Sequence, residues 1–212
     1  MTPTPTGGTA MATVVSTLFI SLDGVAEIDP AWHFPYFDDA MGAGVGEDYE
    51  DVDVLVLGRV TYDSFAGAWP DREAAGGDDA SFAQQLGDTR KLVATRGSQD
   101  LGWRNVERTD DVVAAVRALE DDPSVGKVLV AGSISVVRQL LDAGLLDELR
   151  LFVHPVAART GERLFAEADT IQTFALRRAD PYPAGVIKLV YAPAGLPGAA
   201  TYDDAKEHLP EA

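Results

Sequence analysis

The sequence predicts one α/β domain: an open mixed sheet flanked by helices and finished by an antiparallel edge. Three observations predict it. Apolar, β-branched runs of strand length recur and stop at glycine or threonine, at 52–57, 91–95 and 125–131. Helix-length segments with apolar residues three and four apart accompany them, such as Val112, Val116 and Leu119, or Ile134, Val137, Leu140 and Leu141. The last third holds two strand-like runs, 174–178 and 186–191, with no helix-length pattern around them. Strands alternating with helices make an open sheet covered on its faces, and two successive strands joined by a turn close it as an antiparallel edge.

Taken in order, residues 1–11 read as a flexible leader rich in Thr, Pro and Gly, 12–192 as the domain, and 193–212 as a polar, acidic tail. Residues 12–22 make a buried strand that Asp23-Gly24 ends. The segment after it carries Pro30, Trp32, His33, Phe34, Pro35, Tyr36 and Phe37. So much aromatic surface beside prolines fits either a pocket wall or an apolar plug over the core. Residues 37–49 read as a weak helix, because Gly42, Gly44 and Gly46 each cost ~1 kcal/mol relative to Ala. The strand 52–57 runs into Gly58-Arg59-Val60-Thr61 and a short amphipathic helix bearing Tyr62 and Phe65. Residues 66–88 look like a surface excursion with room for a short helix. The strand 91–95 ends at Arg96-Gly97, a short strand follows near 105–107, and Thr109 is the expected N-cap of a helix over 110–120. The strand 125–131 stops at Gly132, Ser133 is the expected cap of the next helix, and Gly144 closes that helix. A turn and a strand occupy 145–155.

Composition narrows the function classes. At 212 residues and 46% hydrophobic, the chain can bury a substantial core in one domain. No apolar run approaches the ~20 residues that span a bilayer, and no Lys or Arg precedes the apolar stretch 14–22, so neither a membrane span nor a secretory signal is expected. Cysteine is absent, which excludes disulfides, thiolate metal sites and cysteine catalysis, and a cytoplasmic location follows as the default. The formal net charge of -17 argues against a nucleic-acid partner, which needs a basic face. It does not forbid a small anion, since a few arginines can reverse the field inside a cleft.

Three strand ends carry groups suited to phosphate: Gly58-Arg59-Val60-Thr61, Thr95-Arg96-Gly97 and Ala131-Gly132-Ser133-Ile134. In open α/β sheets ligands gather beyond the carboxyl ends of the strands, where helix N-termini present free N–H groups. Two such termini with two arginines and two threonines suit a pyrophosphate and one further phosphate. Arg96 is the natural candidate for a ribose 2'-phosphate, which favours NADP over NAD. The glycine motif Gly-x-Gly-x-x-Gly after a first strand is absent, so an ordinary Rossmann site is not expected.

Ser21-Leu22-Asp23-Gly24, Leu57-Gly58-Arg59-Val60-Thr61-Tyr62, Ala131-Gly132-Ser133 and Gly144-Leu145-Leu146-Asp147-Glu148-Leu149 together resemble the dihydrofolate reductase superfamily, in the branch related to the reductase domain of riboflavin biosynthesis. The resemblance covers roughly residues 12–191. It implies a three-layer α/β/α fold on a mixed, mostly parallel sheet, NADPH as hydride donor, and a homodimer. It implies an NADPH-dependent oxidoreductase acting on a small heteroaromatic substrate, such as a pterin, a pyrimidine or a flavin precursor. By motif, Gly58, Arg59 and Thr61 would hold the cofactor's phosphates, Thr95 and Arg96 its 2'-phosphate, and Gly132, Ser133 and Ile134 the pyrophosphate. Asp23 would orient or protonate the substrate, with Trp32, Phe34, Tyr36 and Phe37 lining its side of the site. Asp38 or Asp39 lies near the acid of the dihydrofolate reductases. One departure is the family's usual glycine pair, which here reads Gly132-Ser133.

The alternative is a ligand-binding or resistance protein that keeps the pocket without turnover. Three histidines without regular spacing predict no metal site, and the absence of Gly-x-Ser-x-Gly predicts no hydrolase nucleophile elbow. His33 falls in the aromatic segment, and His154, before Pro155, reads as structural.

Overall fold

A computed structural model describes residues 11–165, 171–199 and 201–206. Among them, the strands are β1 (Thr13–Ser21), β2 (Val54–Gly58), β3 (Arg90–Ala94), β4 (Val106–Thr109), β5 (Lys127–Ala131), β6 (Glu148–His154), β7 (Thr173–Pro181) and β8 (Ile187–Ala194). They form one sheet in the order β4-β3-β2-β5-β1-β6-β8-β7. Every pairing from β4 across to β6 is parallel, while β8 runs antiparallel to both β6 and β7. The helices are α1 (Pro30–His33), α2 (Asp39–Tyr49), α3 (Arg59–Ala66), α4 (Trp69–Ala75), α5 (Ala80–Asp88), α6 (Val112–Glu120), α7 (Ile134–Asp142) and α8 (Tyr202–Lys206), with a 3-10 turn at Phe34–Tyr36.

Burial of both sheet faces explains why β2 is apolar throughout. In β2, Val54 and Val56 enter a core shared with Val112, Val116, Val137 and Leu140 of α6 and α7. Leu55 and Leu57 point the other way, to Tyr49 of α2, Tyr62 of α3 and Leu86 of α5. A strand covered on two sides needs no polar alternation. The mixed, mostly parallel three-layer sheet with its antiparallel edge is therefore the architecture that the sequence predicts. Of the expected leader only Met11 is described; in the tail, residue 200 and residues 207–212 lie outside the described residues.

Local expectations fare unevenly. The segment 66–88 is two helices, α4 and α5, with the ring centroids of Trp69 and Phe82 5.2 Å apart between them. The cap of α6 is Asp111, whose carboxylate accepts the Ala114 N–H at 2.9 Å; Thr109, two residues earlier, instead accepts the Asp111 N–H at 3.1 Å. In α2 one glycine, Gly44, has a reason that a propensity scale misses. A Cβ at Gly44 would stand 2.0 Å from the Tyr182 hydroxyl, so the turn between β7 and β8 packs directly on bare helix backbone.

Two buried cations brace the layers. Lys91 Nζ donates to the carbonyls of Leu86, Gly87 and Thr89 at 2.7, 2.9 and 2.6 Å, closing the end of α5, and lies 4.5 Å from the centre of the Trp103 ring. Burial lowers its pKa to about 8. Lys188 of β8 is 2.8 Å from the Asp48 carboxylate, which also takes Arg150 at 2.7 Å and the Thr17 hydroxyl at 2.8 Å. This joins α2 to β1, β6 and β8.

Candidate functional site

The ends of β3, β2 and β5 are neighbours, and the residues just past them open into one cleft of about 1790 Å³. Gly58, Arg59, Thr61, Thr95, Arg96, Gly132, Ser133 and Ile134 all line it. Parallel pairing puts three strand termini side by side although they are far apart in the chain.

Close packing of small residues makes this end. Gly58 precedes α3, and the Gly58 N–H donates to Ser133 Oγ at 2.7 Å. Ser133 Oγ in turn lies 2.8 Å from Thr61 Oγ1. A Cβ on Gly58 would meet Ser133 at 3.3 Å, and one on Gly132 would meet Thr61 at 3.5 Å with its φ already at +54°. The ladder between β2 and β5 ends at Val56 and Val130, and the Ser133 hydroxyl continues it by one rung. Ser133 has φ 61° and ψ 61°, so Gly132-Ser133 is left-handed at both positions, as a glycine pair would be. The expectation that Ser133 caps α7 with its side chain is corrected here. Its hydroxyl is turned to β2 and α3, and neither α3 nor α7 has a side-chain cap. Two helix N-termini thus open on the cleft with N–H groups unclaimed by side chains.

The arginines differ. Arg59 Nε contacts both Asp63 oxygens, at 2.9 and 2.8 Å, which raises its pKa. Arg96 is exposed in the cleft wall and has no hydrogen bond or ion pair with any described residue. Arg72 also reaches the wall, paired with Asp79 at 2.8 Å and over the Trp69 ring at 5.0 Å. The sequence predicts only a surface excursion there, with room for a short helix.

The other end of the cleft is largely apolar, although Glu27, Asp38, Asp39 and Glu162 also border the cleft. Leu18 and Phe19 of β1, Ala26, Ile28, His33, Phe34 and Phe37 form its wall. Of the four aromatic residues expected to line the substrate, Phe34 and Phe37 border the cleft. Trp32 and Tyr36 do not line the cleft; their rings turn inward onto His154, at 5.1 and 6.0 Å between centroids. The aromatic segment is therefore wall and plug at once. Asp39 is on the cleft's edge, while Asp38, though it borders the cleft, caps α2 through the Met41 N–H at 2.8 Å and accepts the Ala184 N–H at 3.2 Å.

Asp23 is engaged away from the cleft. It is not among the residues bordering the cleft. Its carboxylate takes the Ser21 hydroxyl at 2.7 Å and the N–H groups of Ala158 and Arg159, both at 2.9 Å. The Ser21 hydroxyl above all, then the two backbone N–H groups, hold its pKa down to about 2. A carboxylate so committed ties the first turn to the loop after β6 and is a poor proton donor at neutral pH.

The histidine pair was the least visible feature in the sequence. His33 Nδ1 lies 3.2 Å from His154 Nε2, across 121 positions of chain. Burial, and then the neighbouring ring, lower the His33 pKa to about 4; burial also lowers that of His154. Nothing in local pattern signals such a pair, since the two residues lie in elements far apart in the chain. Among the described residues no group of acidic or histidine side chains could hold a metal, and no helix is long and apolar enough to cross a membrane.

Comparison with known proteins agrees with this geometry. The family model described as the RibD C-terminal domain matches residues 12–187. The uncharacterized protein YyaP of Bacillus subtilis is 22% identical over 189 residues, covering 84% of this chain and 93% of its own. A structure ascribed to a riboflavin biosynthesis protein of Shewanella sp. PV-4 superposes with a TM-score of 0.63 at 18% identity, covering 86% of this chain and 99% of that one. A pyrimidine reductase-like protein of Corynebacterium diphtheriae does so at 0.62 and 17%, covering 87% and 92%. Because the family model spans most of its length and the fold agrees, the chain belongs to the RibD C-terminal domain family, on a dihydrofolate reductase-like fold.

Proposed function

We propose that the protein is an NADPH-dependent reductase that transfers hydride to a small heteroaromatic substrate. One observation carries this reading. In a chain of net charge -17, two helix N-termini without side-chain caps and an unpaired arginine converge on one cleft. Such an arrangement makes sense for a ligand with several phosphates. The residues fit the cofactor: no side chain caps the starts of α3 and α7, and Arg96 stands in the same cleft wall. The turns Gly58–Thr61 and Gly132–Ile134 would bind the pyrophosphate, and Thr95 with Arg96 the 2'-phosphate. When bound, NADPH would supply the hydride. The Phe34 and Phe37 rings would stack on the acceptor and exclude water from it. The family match and the pyrimidine reductase-like neighbour support a reductase rather than another user of nucleotides. The family resemblance also implies a homodimer, which sedimentation velocity tests.

Titration of the purified protein with NADPH and NADH tests the cofactor. Arg96→Ala is expected to weaken NADPH by roughly 10- to 100-fold, the worth of one charge-assisted contact, and to leave NADH nearly unchanged. Equal losses for the two would remove Arg96 from the 2'-phosphate, and no binding of either would remove the cofactor. Following NADPH absorbance across pterins and aminopyrimidines then tests turnover.

A further inference from the structure

The apolar end of the cleft contains one polar ring whose hydrogen-bonding sense is set from behind. His154 Nδ1 lies 3.1 Å from the Phe152 carbonyl, and the Ile20 carbonyl also favours a proton on this ring. A carbonyl only accepts, so Nδ1 of His154 carries the hydrogen and, in the neutral ring, Nε2 is bare. His33 Nδ1, 3.2 Å away, must then donate to it. If it did not, two lone pairs would face each other. In a neutral His33 the hydrogen on Nδ1 leaves Nε2 bare too. Burial keeps both rings neutral at neutral pH.

Among the described residues, His33 Nε2 has no hydrogen-bond partner. The buried side-chain nitrogen and oxygen atoms without one, among the described residues, are Ser16 Oγ and Trp103 Nε1. His33 Nε2 is not among them, so it reaches accessible space, and the ring borders the cleft. Phe19, Phe34, Phe37 and Trp32 surround the ring, at 4.3, 5.2, 5.6 and 6.2 Å between centroids, and hold its orientation.

We propose that His33 Nε2 is the hydrogen-bond acceptor for an N–H donor on the heteroaromatic ligand, and that His154 is a positioning residue that fixes the accepting tautomer. An amino group or a ring N–H at that point completes the relay, Phe152 carbonyl to His154 to His33 to ligand. A carbonyl or a tertiary amine there faces a lone pair in apolar surroundings, which is costly. This selects aminopyrimidine-like rings over their N-alkylated or oxo counterparts. The inference rests on the reading that this end of the cleft takes a flat ring, but it needs no cofactor.

The test uses the full chain labelled with nitrogen-15 at histidine, and two probes, 2-aminopyrimidine and 2-(dimethylamino)pyrimidine. Long-range proton–nitrogen spectra at neutral pH should show both His33 and His154 with the hydrogen on Nδ1. 2-Aminopyrimidine should bind about 10-fold more tightly than the dimethyl analogue and shift His33 Nε2 towards the hydrogen-bonded position. His33→Phe should bind the two probes equally, which a merely steric preference would not produce. His154→Phe should leave His33 in mixed tautomers and shrink the preference. A hydrogen on Nε2 of His33 in the free protein, equal binding of the probes by the unaltered protein, no binding of either, or a preference that survives His33→Phe would each overturn the proposal. Because no NADPH is present, loss of the reductase reading in the cofactor titration leaves these outcomes distinct.

Discussion

Ser133 puts the logic of the cradle to a quantitative test. Two opposed terms meet at this residue. Its φ of 61° and ψ of 61° lie in the left-handed region, which costs a non-glycine residue ~1–2 kcal/mol. Its hydroxyl accepts the Gly58 N–H at 2.7 Å and approaches Thr61 Oγ1 at 2.8 Å, pinning the start of α3 against the start of α7. Ser133→Ala keeps the strain, removes the hydroxyl and strands a partly buried N–H, for a loss of about 2 kcal/mol. In a domain of this size that is a fall of roughly 4–8 °C in Tm. Ser133→Gly loses the same hydroxyl but relieves the strain, so about half of the loss is recovered, roughly 1 kcal/mol or ~2–4 °C. The glycine variant, which restores the family's glycine pair, is thus expected to lie between the native protein and the alanine variant. Urea denaturation with both variants at one pH measures the order. An alanine variant as stable as the native protein, or more stable than the glycine variant, would refute the reasoning.

Three further outcomes follow from the buried groups. The His33 pKa, lowered in the folded state to about 4, means the unfolded chain holds a proton that the native one lacks between about pH 4 and 6.5, so stability is full above 6.5 and lost as pH falls, at up to ~1.4 kcal/mol per pH unit. Urea midpoints at pH 5 and pH 7 should differ less in His33→Phe than in the native protein, and an unchanged difference would count against the buried pair. Asp48→Ala leaves Lys188 and Arg150 without their shared carboxylate and should cost ~3–5 kcal/mol by urea denaturation, with part of it regained in the double variant Asp48→Leu, Lys188→Met. Ser16→Ala, in contrast, removes a buried hydroxyl that has no partner, and calorimetry should find the Tm unchanged or raised.

Much of the fold was legible because period and punctuation are local. β2, β3 and β5 show as largely apolar runs ending in Gly58, Thr95 and Gly132, since a strand buried on two faces has room for few polar side chains. The stripes of α6 and α7 show for the same reason at the helical period. Errors came where a local rule was overridden from a distance. Gly44 looked like a helix breaker until Tyr182 was seen against it, and Ser133 looked like a cap until Gly58 and Thr61 claimed its hydroxyl.

The candidate site divides the same way. The sequence by itself determined the strand ends, the small residues at their turns and the cationic Arg96, because each is a property of a few consecutive residues. Only the tertiary structure decided which groups share a cleft and which are taken elsewhere. It withdrew Asp23 into the loop at Ala158 and Arg159, turned Trp32 and Tyr36 inward, and set His33 against His154. The physical reason is that a side chain's chemistry depends on its partners, and here those partners lie about a hundred residues away, brought close by the parallel order of the sheet.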